Sequence, residues 1–423
     1  MKNIIIQQKQ EKETLLSKNY VFREKFSFAQ KFVGSDLVKI ITGPRRAGKS
    51  IFSLLLFKDK HFAYLNFDDE NLLKIKNYDE LIKGLFEVYG EVKYMLFDEI
   101  QNMQNWELFV NKLQRRGYNI IVTGSNAKLL SRELATVLTG RHIPIEILPF
   151  SFKEFLRAKN FELPSKQEQE LPEIKGNILN NLNEYLKNGG FPEIVVKNIE
   201  AKTYLETLFD AVLLKDVAKR YNVRQIQKLY DLSLYLISNF SSEFTFTKLK
   251  NILDFTSVST IQNYVGYLEE TYLVFVLNRF SYKVKKQIKT AKKVYLVDNG
   301  LALAKSFQFT SNLGKLMENL VFSELLKRGH KPNQNIFYYK TRNQKEIDFV
   351  LKEGSDVNSL IQACYDTSNI DTQKREIKAL LEASEELSCN NLLIITWDKE
   401  ETITIKQKTI NFIPLAKWLL QAS

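Results

Sequence analysis

The stretch Gly43-Pro44-Arg45-Arg46-Ala47-Gly48-Lys49-Ser50 constrains the fold more than any other part of the chain. It follows LVKIIT at 37–42, an apolar run rich in β-formers, and precedes IFSLLLF at 51–57, which suits a helix. Glycines let such a loop wrap a phosphate chain and aim its N–H groups inward, and the pattern G-x-x-x-x-G-K-[ST] has this meaning only between a strand and a helix. The sequence therefore predicts an α/β fold with a P-loop parallel sheet core. All eight residues are expected to cradle the phosphates of ATP, with Lys49 reaching the β and γ phosphates and the Ser50 hydroxyl ligating Mg2+.

Such a loop calls for an acid at the end of a second buried strand, and Tyr94-Met95-Leu96-Phe97-Asp98-Glu99 supplies two. A strand buried on both faces of a parallel sheet leaves its C-terminal carboxylates beside the loop. Asp98 is expected to hold Mg2+ and Glu99 to orient and deprotonate the attacking water. The same acids would also suit the start of the helical stretch that follows. A third strand over 119–123, NIIVT, ends in Gly124-Ser125-Asn126. Ser125 or Asn126 is expected to sense the γ-phosphate, and both are equally good caps for a helix over KLLSREL. Arg132 and Arg141 follow; Arg141, after Gly140, is the better candidate to stabilise transition-state charge, in this chain or from a neighbouring copy in a homo-oligomer.

The chain has 423 residues, more than one core usually organises, so several domains are expected. Its 44% hydrophobic and 26% charged residues fit a folded, water-soluble protein. The opening MKNIIIQQKQEKE turns polar before a signal-peptide core forms, and no apolar run approaches the roughly 20 residues a membrane span needs, so a cytoplasmic location is expected. Two cysteines and three histidines leave neither a disulfide framework nor a zinc cluster, so any metal is held by oxygen. The net charge of +12 suits an anionic partner, although a lysine-rich composition alone would give the same excess.

Helical patterns occupy 150–225, interrupted by the polar stretch SKQEQELPEIKG. Residues 226–282 read as helix, short element, helix, second helix and a β-rich hairpin, the order of a winged helix-turn-helix, with Thr260, Gln262 and Asn263 at the start of a recognition helix capped by Ser257 or Ser259. Six lysines follow in KVKKQIKTAKK: Lys283, Lys285, Lys286, Lys289, Lys292 and Lys293. The segment Lys283-Lys293 is expected to contact the phosphates of DNA or RNA, a charged linker being the alternative. Further on, Glu318 lies on an apparent helix, and Glu346 and Asp348, two residues apart on an apparent strand, share one face.

GPRRAGKS, YLNFDD, MLFDE, VTGSNAKLLS, LTGR and ILPFSFKEFL, followed in order by NGGFPEIV, LLKDVAKRY, VYLVDNGLA, LGKLMENLVFSELLKRG and FYYKTRNQKEIDFVL, together resemble the bacterial and archaeal AAA-type ATPases that carry a DUF4143 C-terminal region. The resemblance covers nearly the whole chain. It implies an ATPase core over 1–150, a helical lid over 151–225, a winged helix over 226–286 and a C-terminal fold over 287–423 similar to PD-(D/E)XK nucleases. In such a fold Glu318, Glu346, Asp348 and Gln362 would form a second magnesium site, but the lysine expected two positions after Gln362 is Cys364. Without that amine the site reads as a degenerate remnant, with Lys340 or Lys345 as nearby substitutes. The implied protein couples its nucleotide state to a C-terminal nucleic-acid- or partner-binding region, against the rival readings of an ATP-gated nuclease, a signalling scaffold that binds no nucleic acid and a remodeller of another protein.

Overall fold

The computed structural model describes residues 1–73, 77–125, 140–165, 167–305 and 313–421. Two compact units result: Met1–Phe150 with Glu270–Tyr272, and Ser151–Glu269 with Leu273–Ser423.

The first unit is built on five parallel strands, β1 (Val38–Thr42), β2 (Phe62–Asn66), β3 (Tyr94–Asp98), β4 (Asn119–Gly124) and β5 (His142–Glu146), in the order β2-β3-β4-β1-β5. The strands are apolar on both faces because helices cover both. Ile40, Leu65, Met95, Phe97 and Val122 pack on one side with the helices Tyr78–Tyr89 and Trp106–Arg115. Ile41, Tyr64, Leu96 and Ile121 face the other, toward the loop helix Lys49–Leu56. Lys39 is fully buried in this sheet; its amine donates to Ser35 O at 3.1 Å and to Asn119 Oδ1, and burial lowers its pKa to about 8.

The second unit holds the regions expected after residue 150, apart from Glu270–Tyr272. Strands β6 (Ser242–Phe244), β7 (Val274–Asn278) and β8 (Lys292–Leu296) form an antiparallel sheet in the order β6-β8-β7, below the helices Ile226–Ser238, Phe246–Ile252 and Val258–Glu270. A boundary at 286/287 therefore falls inside the β7–β8 hairpin, within its short helix Val284–Lys289. Six strands, β9 (Ile336–Lys340), β10 (Glu346–Glu353), β11 (Asp356–Cys364), β12 (Leu392–Thr396), β13 (Glu401–Ile405) and β14 (Lys408–Pro414), form a mixed sheet in the order β13-β14-β12-β11-β10-β9. The two sheets are fused: Phe280 N donates to Tyr338 O at 2.7 Å, Asn333 Nδ2 to Val276 O at 2.7 Å, and the Tyr338 hydroxyl to Ala291 O at 2.5 Å.

Two motifs with no catalytic reading form a clasp. Buried Asp298 accepts from Gly190 N at 2.8 Å and Gly300 N at 2.9 Å, joining NGGFPEIV to VDNGLA. Asn299 Nδ2 donates to Leu186 O at 2.8 Å and Leu316 O at 2.9 Å, while Asn319 closes on both backbone groups of Leu296. Gly189 terminates the helix Pro172–Asn188 at φ +76 and ψ −167, a region open essentially to glycine, and a Cβ there would lie 1.6 Å from Asp298 Oδ1. Gly189→Ala should therefore lower stability by about 3 kcal/mol in urea denaturation of the full chain, from backbone strain and the displaced carboxylate. Gly176→Ala, inside the same helix with nothing within 4 Å of the new methyl group, should instead raise it by roughly 0.5–1 kcal/mol.

Candidate nucleotide-binding site

The loop between β1 and its helix is shaped by close approach. A Cβ on Gly43 would stand 1.9 Å from the Ile147 carbonyl, so only glycine passes there, while Ile147 N donates to Thr42 O at 2.8 Å. Ala47 N reaches Pro44 O at 3.3 Å, and Gly48 precedes the helix that begins at Lys49. The first N–H groups of that helix have no acceptor within it, and its dipole favours an anion at this end. Lys49 is buried and donates to Pro44 O at 3.0 Å, with Glu99 Oε1 3.9 Å away. Arg45 is half-buried and Arg46 exposed.

Because β4 lies between β1 and β3, its end meets the acids of β3. Ser50 Oγ donates to Asp98 Oδ1 at 2.9 Å, Thr123 Oγ1 donates to the same oxygen, and Tyr64 donates to Asp98 Oδ2 at 3.3 Å. Burial, and then the neighbouring Glu99, push the Asp98 carboxyl up to about 6, against the pull of its Thr123 and Ser50 hydrogen bonds and of Lys49. Glu99 adopts a left-handed backbone at φ 50, its N–H donating to Thr123 Oγ1 at 3.0 Å and its Oε2 accepting from Gln101 at 2.6 Å. A left-handed glutamate at the end of a buried strand is the kind of local strain that concentrates at functional positions. A hydroxyl and a carboxylate side by side at a phosphate loop are the oxygen donors Mg2+ takes from a protein, the remainder coming from phosphate and water.

Ser125 is buried, its hydroxyl without a partner among the described residues, while Asn126 and Arg132 lie outside them. Arg141 is exposed and immediately precedes β5, whose first residue His142 pairs with Val38 at the start of β1. The phosphate loop leaves the opposite end of β1, so Arg141 does not reach it within this chain, a correction to the expectation that it acts there in cis. Three residues of this site were assigned no role from the sequence: Thr123 and Tyr64, which lie in VTGSNAKLLS and YLNFDD, and Arg23, whose guanidinium holds Ala47 O at 2.8 Å and Leu148 O at 2.5 Å. A hydroxyl at the end of the strand next to the acids was the signal available for Thr123; a single arginine in VFREKF gave none.

In the second unit Glu318, Glu346 and Asp348 do converge, but on Lys293. Its Nζ lies 2.7 Å from Glu318, 2.7 Å from Glu346 and 3.3 Å from Asp348. Gln362 is not placed as a ligand: its oxygen accepts from Asp348 N at 2.7 Å and its amide donates to Glu346 O at 3.0 Å and to Glu376, stapling β10 to β11. Lys340 pairs with Glu243 at 2.6 Å and with Glu346 at 3.6 Å, Lys345 with Glu382 at 2.6 Å. The lysine run also divides. Lys283, Lys285, Lys286 and Lys289 are exposed on the β7–β8 hairpin, whereas Lys292 donates to Asn278 Oδ1 at 2.8 Å and Lys293 is buried, so these two are not phosphate contacts. Exposed beside the four are Tyr282, Val284 and Ile288, at 68%, 65% and 66%. On the helix Val258–Glu270, Ser257 Oγ accepts from Ser259 N at 3.1 Å, and Gln262 and Asn263 are exposed with Thr260 half-buried.

Residues 35–156 match the family described as AAA domain, residues 179–312 a domain of unknown function, DUF8612, and residues 313–418 another, DUF4143. An uncharacterized protein of Methanocaldococcus jannaschii is 40% identical over 90% of this chain and 88% of its own length. The chain belongs to the AAA_14/DUF4143 family of P-loop proteins. A second member, an uncharacterized protein of Haemophilus influenzae, is 34% identical over 81% of this chain and 86% of its own. Among solved structures, a Walker-type ATPase of Pyrococcus abyssi aligns over 67% of this chain and 95% of its own at 16% identity and a TM-score of 0.40. Among the described residues no helix is long and apolar enough to cross a membrane.

The carboxylate cluster of this family member has a pH signature. Burial, and then the Asp348 charge, raise the Glu318 carboxyl to about 8, against the pull of Lys293 and of the Tyr295 hydroxyl. The folded chain therefore binds this proton more tightly than the unfolded chain, whose carboxyl titrates near the ordinary 4.5. The stability drawn from it is complete below about pH 4.5 and is lost as pH rises to about 8. Thermal melts of Glu318→Gln between pH 5 and 8 should show a flatter dependence than wild type.

Proposed function

We propose that the chain binds ATP on the 43–50 loop and hydrolyses it. The observation that carries this reading is the 2.9 Å hydrogen bond from Ser50 to Asp98, which sets a hydroxyl and a carboxylate 48 residues apart against the first turn of the loop helix. Bound Mg2+ would be held by Ser50 and Asp98 and would supply charge neutralisation between the β and γ phosphates. Lys49 would exchange its hydrogen bond with Pro44 O for one to phosphate oxygen. Glu99, aimed by its left-handed backbone and by Gln101, would accept the proton of the water that attacks the γ-phosphorus as the bond to the bridging oxygen breaks. Ser125 stands near enough in sequence to Thr123 to report the γ-phosphate, and Arg141 could serve only a neighbouring copy.

The nucleotide cycle would act on a nucleic-acid-binding hairpin. Helix, short strand, two helices and an antiparallel pair in the order β6-β8-β7 support a winged helix, and its hairpin presents Lys283, Lys285, Lys286 and Lys289 with Tyr282 among them. Lysines meet phosphates and an exposed ring stacks on an unpaired base. The antiparallel β9-β10-β11 followed by a helix and parallel β12 supports a fold similar to PD-(D/E)XK nucleases, and with Cys364 where the catalytic lysine is expected no cleavage is expected of it.

Lys49→Ala should weaken nucleotide binding by on the order of tenfold or more, whereas Glu99→Gln should keep binding and lose roughly 10²–10⁴ of turnover. Titration with a fluorescent ATP analogue and a phosphate-release assay separate the two; equal turnover in Glu99→Gln and wild type removes Glu99 from the mechanism. Replacing Lys283, Lys285, Lys286 and Lys289 with Gln should flatten the salt dependence of duplex DNA binding, the log–log slope becoming shallower by about 0.9 for every phosphate no longer neutralised. An unchanged slope returns the hairpin to the status of a solvated surface.

A further inference from the structure

Lys293 is 1% exposed, yet its ammonium sits at the focus of three carboxyl groups carried by two separate elements, Glu318 on the helix Leu313–Lys327 and Glu346 and Asp348 on β10. Each acid is fixed independently. Glu318 Oε1 also accepts from the Tyr295 hydroxyl at 2.6 Å, Asp348 Oδ2 from Ala363 N at 3.0 Å, and Glu346 Oε2 faces Lys340 at 3.6 Å. The lysine is fixed as well, because β8 is paired on both sides, with Lys293 opposite Glu243 of β6 and Leu277 of β7. It cannot withdraw along the strand without breaking two ladders.

The carboxylate oxygens stand at the 2.7–3.3 Å of ammonium hydrogen bonds, longer than the roughly 2.0–2.2 Å at which Mg2+ or Mn2+ is held, and Nζ fills the point where such an ion would sit. Among the described residues no group of three or more His, Cys, Asp or Glu is arranged to hold a metal. We propose that Lys293 is the resident cation of this cluster: its ammonium supplies, from within the chain, the charge neutralisation a divalent ion would otherwise bring. The C-terminal sheet is thereby built to work without a metal and to leave phosphodiesters intact. The amine absent at Cys364 is in effect present, but from β8, and placed as the ion and not beside it. This inference is independent of the nucleotide site.

The test is Mn2+ binding to the full-length, nucleotide-free protein, followed by the electron paramagnetic resonance of free Mn2+ and by the shift of melting temperature. Wild type and Glu346→Gln should bind the same amount, with no melting shift from the cluster. Lys293→Ala should gain one Mn2+ equivalent per chain and melt higher with Mn2+ than without, and Lys293→Ala combined with Asp348→Asn should lose both gains. A wild-type equivalent that Glu346→Gln abolishes overturns the proposal, as does a folded Lys293→Ala that binds no more Mn2+ than wild type. Should Lys293→Ala fail to fold even with Mn2+, the comparison of wild type with Glu346→Gln still decides: equal binding supports the resident lysine, and a lost equivalent overturns it.

Discussion

Asp98 is a buried carboxylate that has to be satisfied, and much of the first unit is arranged around satisfying it. Its oxygens take hydrogen bonds from Ser50, Thr123 and Tyr64, residues that follow β1 and lie on β4 and β2. Two hydroxyls from the neighbouring strands and one from the loop helix reach this side chain in the strand order β2-β3-β4-β1. Thr123 then binds twice, donating to Asp98 and accepting from the Glu99 N–H, so the two acids share a single point of attachment. Leaving a buried carboxylate without those donors would cost several kcal/mol, which makes the strand order and the loop position mutually dependent.

The phosphate loop and the acid strand were legible because their chemistry needs fixed residues at fixed places. GPRRAGKS and YMLFDE each carry their structural context beside them in sequence. The cis role for Arg141 fell away because a residue after a glycine carries no record of which end of the sheet it occupies; only the register of β5 against β1 supplies that. The roles of Thr123, Tyr64 and Arg23 were not legible because a hydroxyl or guanidinium has no chemistry of its own until a partner is brought to it.

In the second unit the acids were readable and their partner was not. The spacing of Glu346 and Asp348 gave a shared face, but the cation came from a strand more than fifty residues earlier, inside a run that looks uniformly basic. Gln362 was misread for the opposite reason: its type fits a ligand, yet its amide is occupied by the backbone of β10. NGGFPEIV and VDNGLA, which suggested no chemistry, turn out to be the two halves of the clasp around Asp298.

The β7–β8 hairpin joins two kinds of lysine on one stretch of chain, solvated ones on its tip and a buried one on its returning strand. Neighbouring residues on a strand point to opposite faces, so Lys292 and Lys293 have different fates for reasons of parity alone. The tip between them and β7 lies outside the ladder, where residues can be added, removed or exchanged without touching the pairing. A shift of one residue within β8, by contrast, would carry Lys293 to the opposite face and bring Lys292 or Val294 to its place among the acids. Whatever the tip binds is thus chosen apart from the strand pairing that seats Lys293, two roles carried a few residues apart on one stretch of chain.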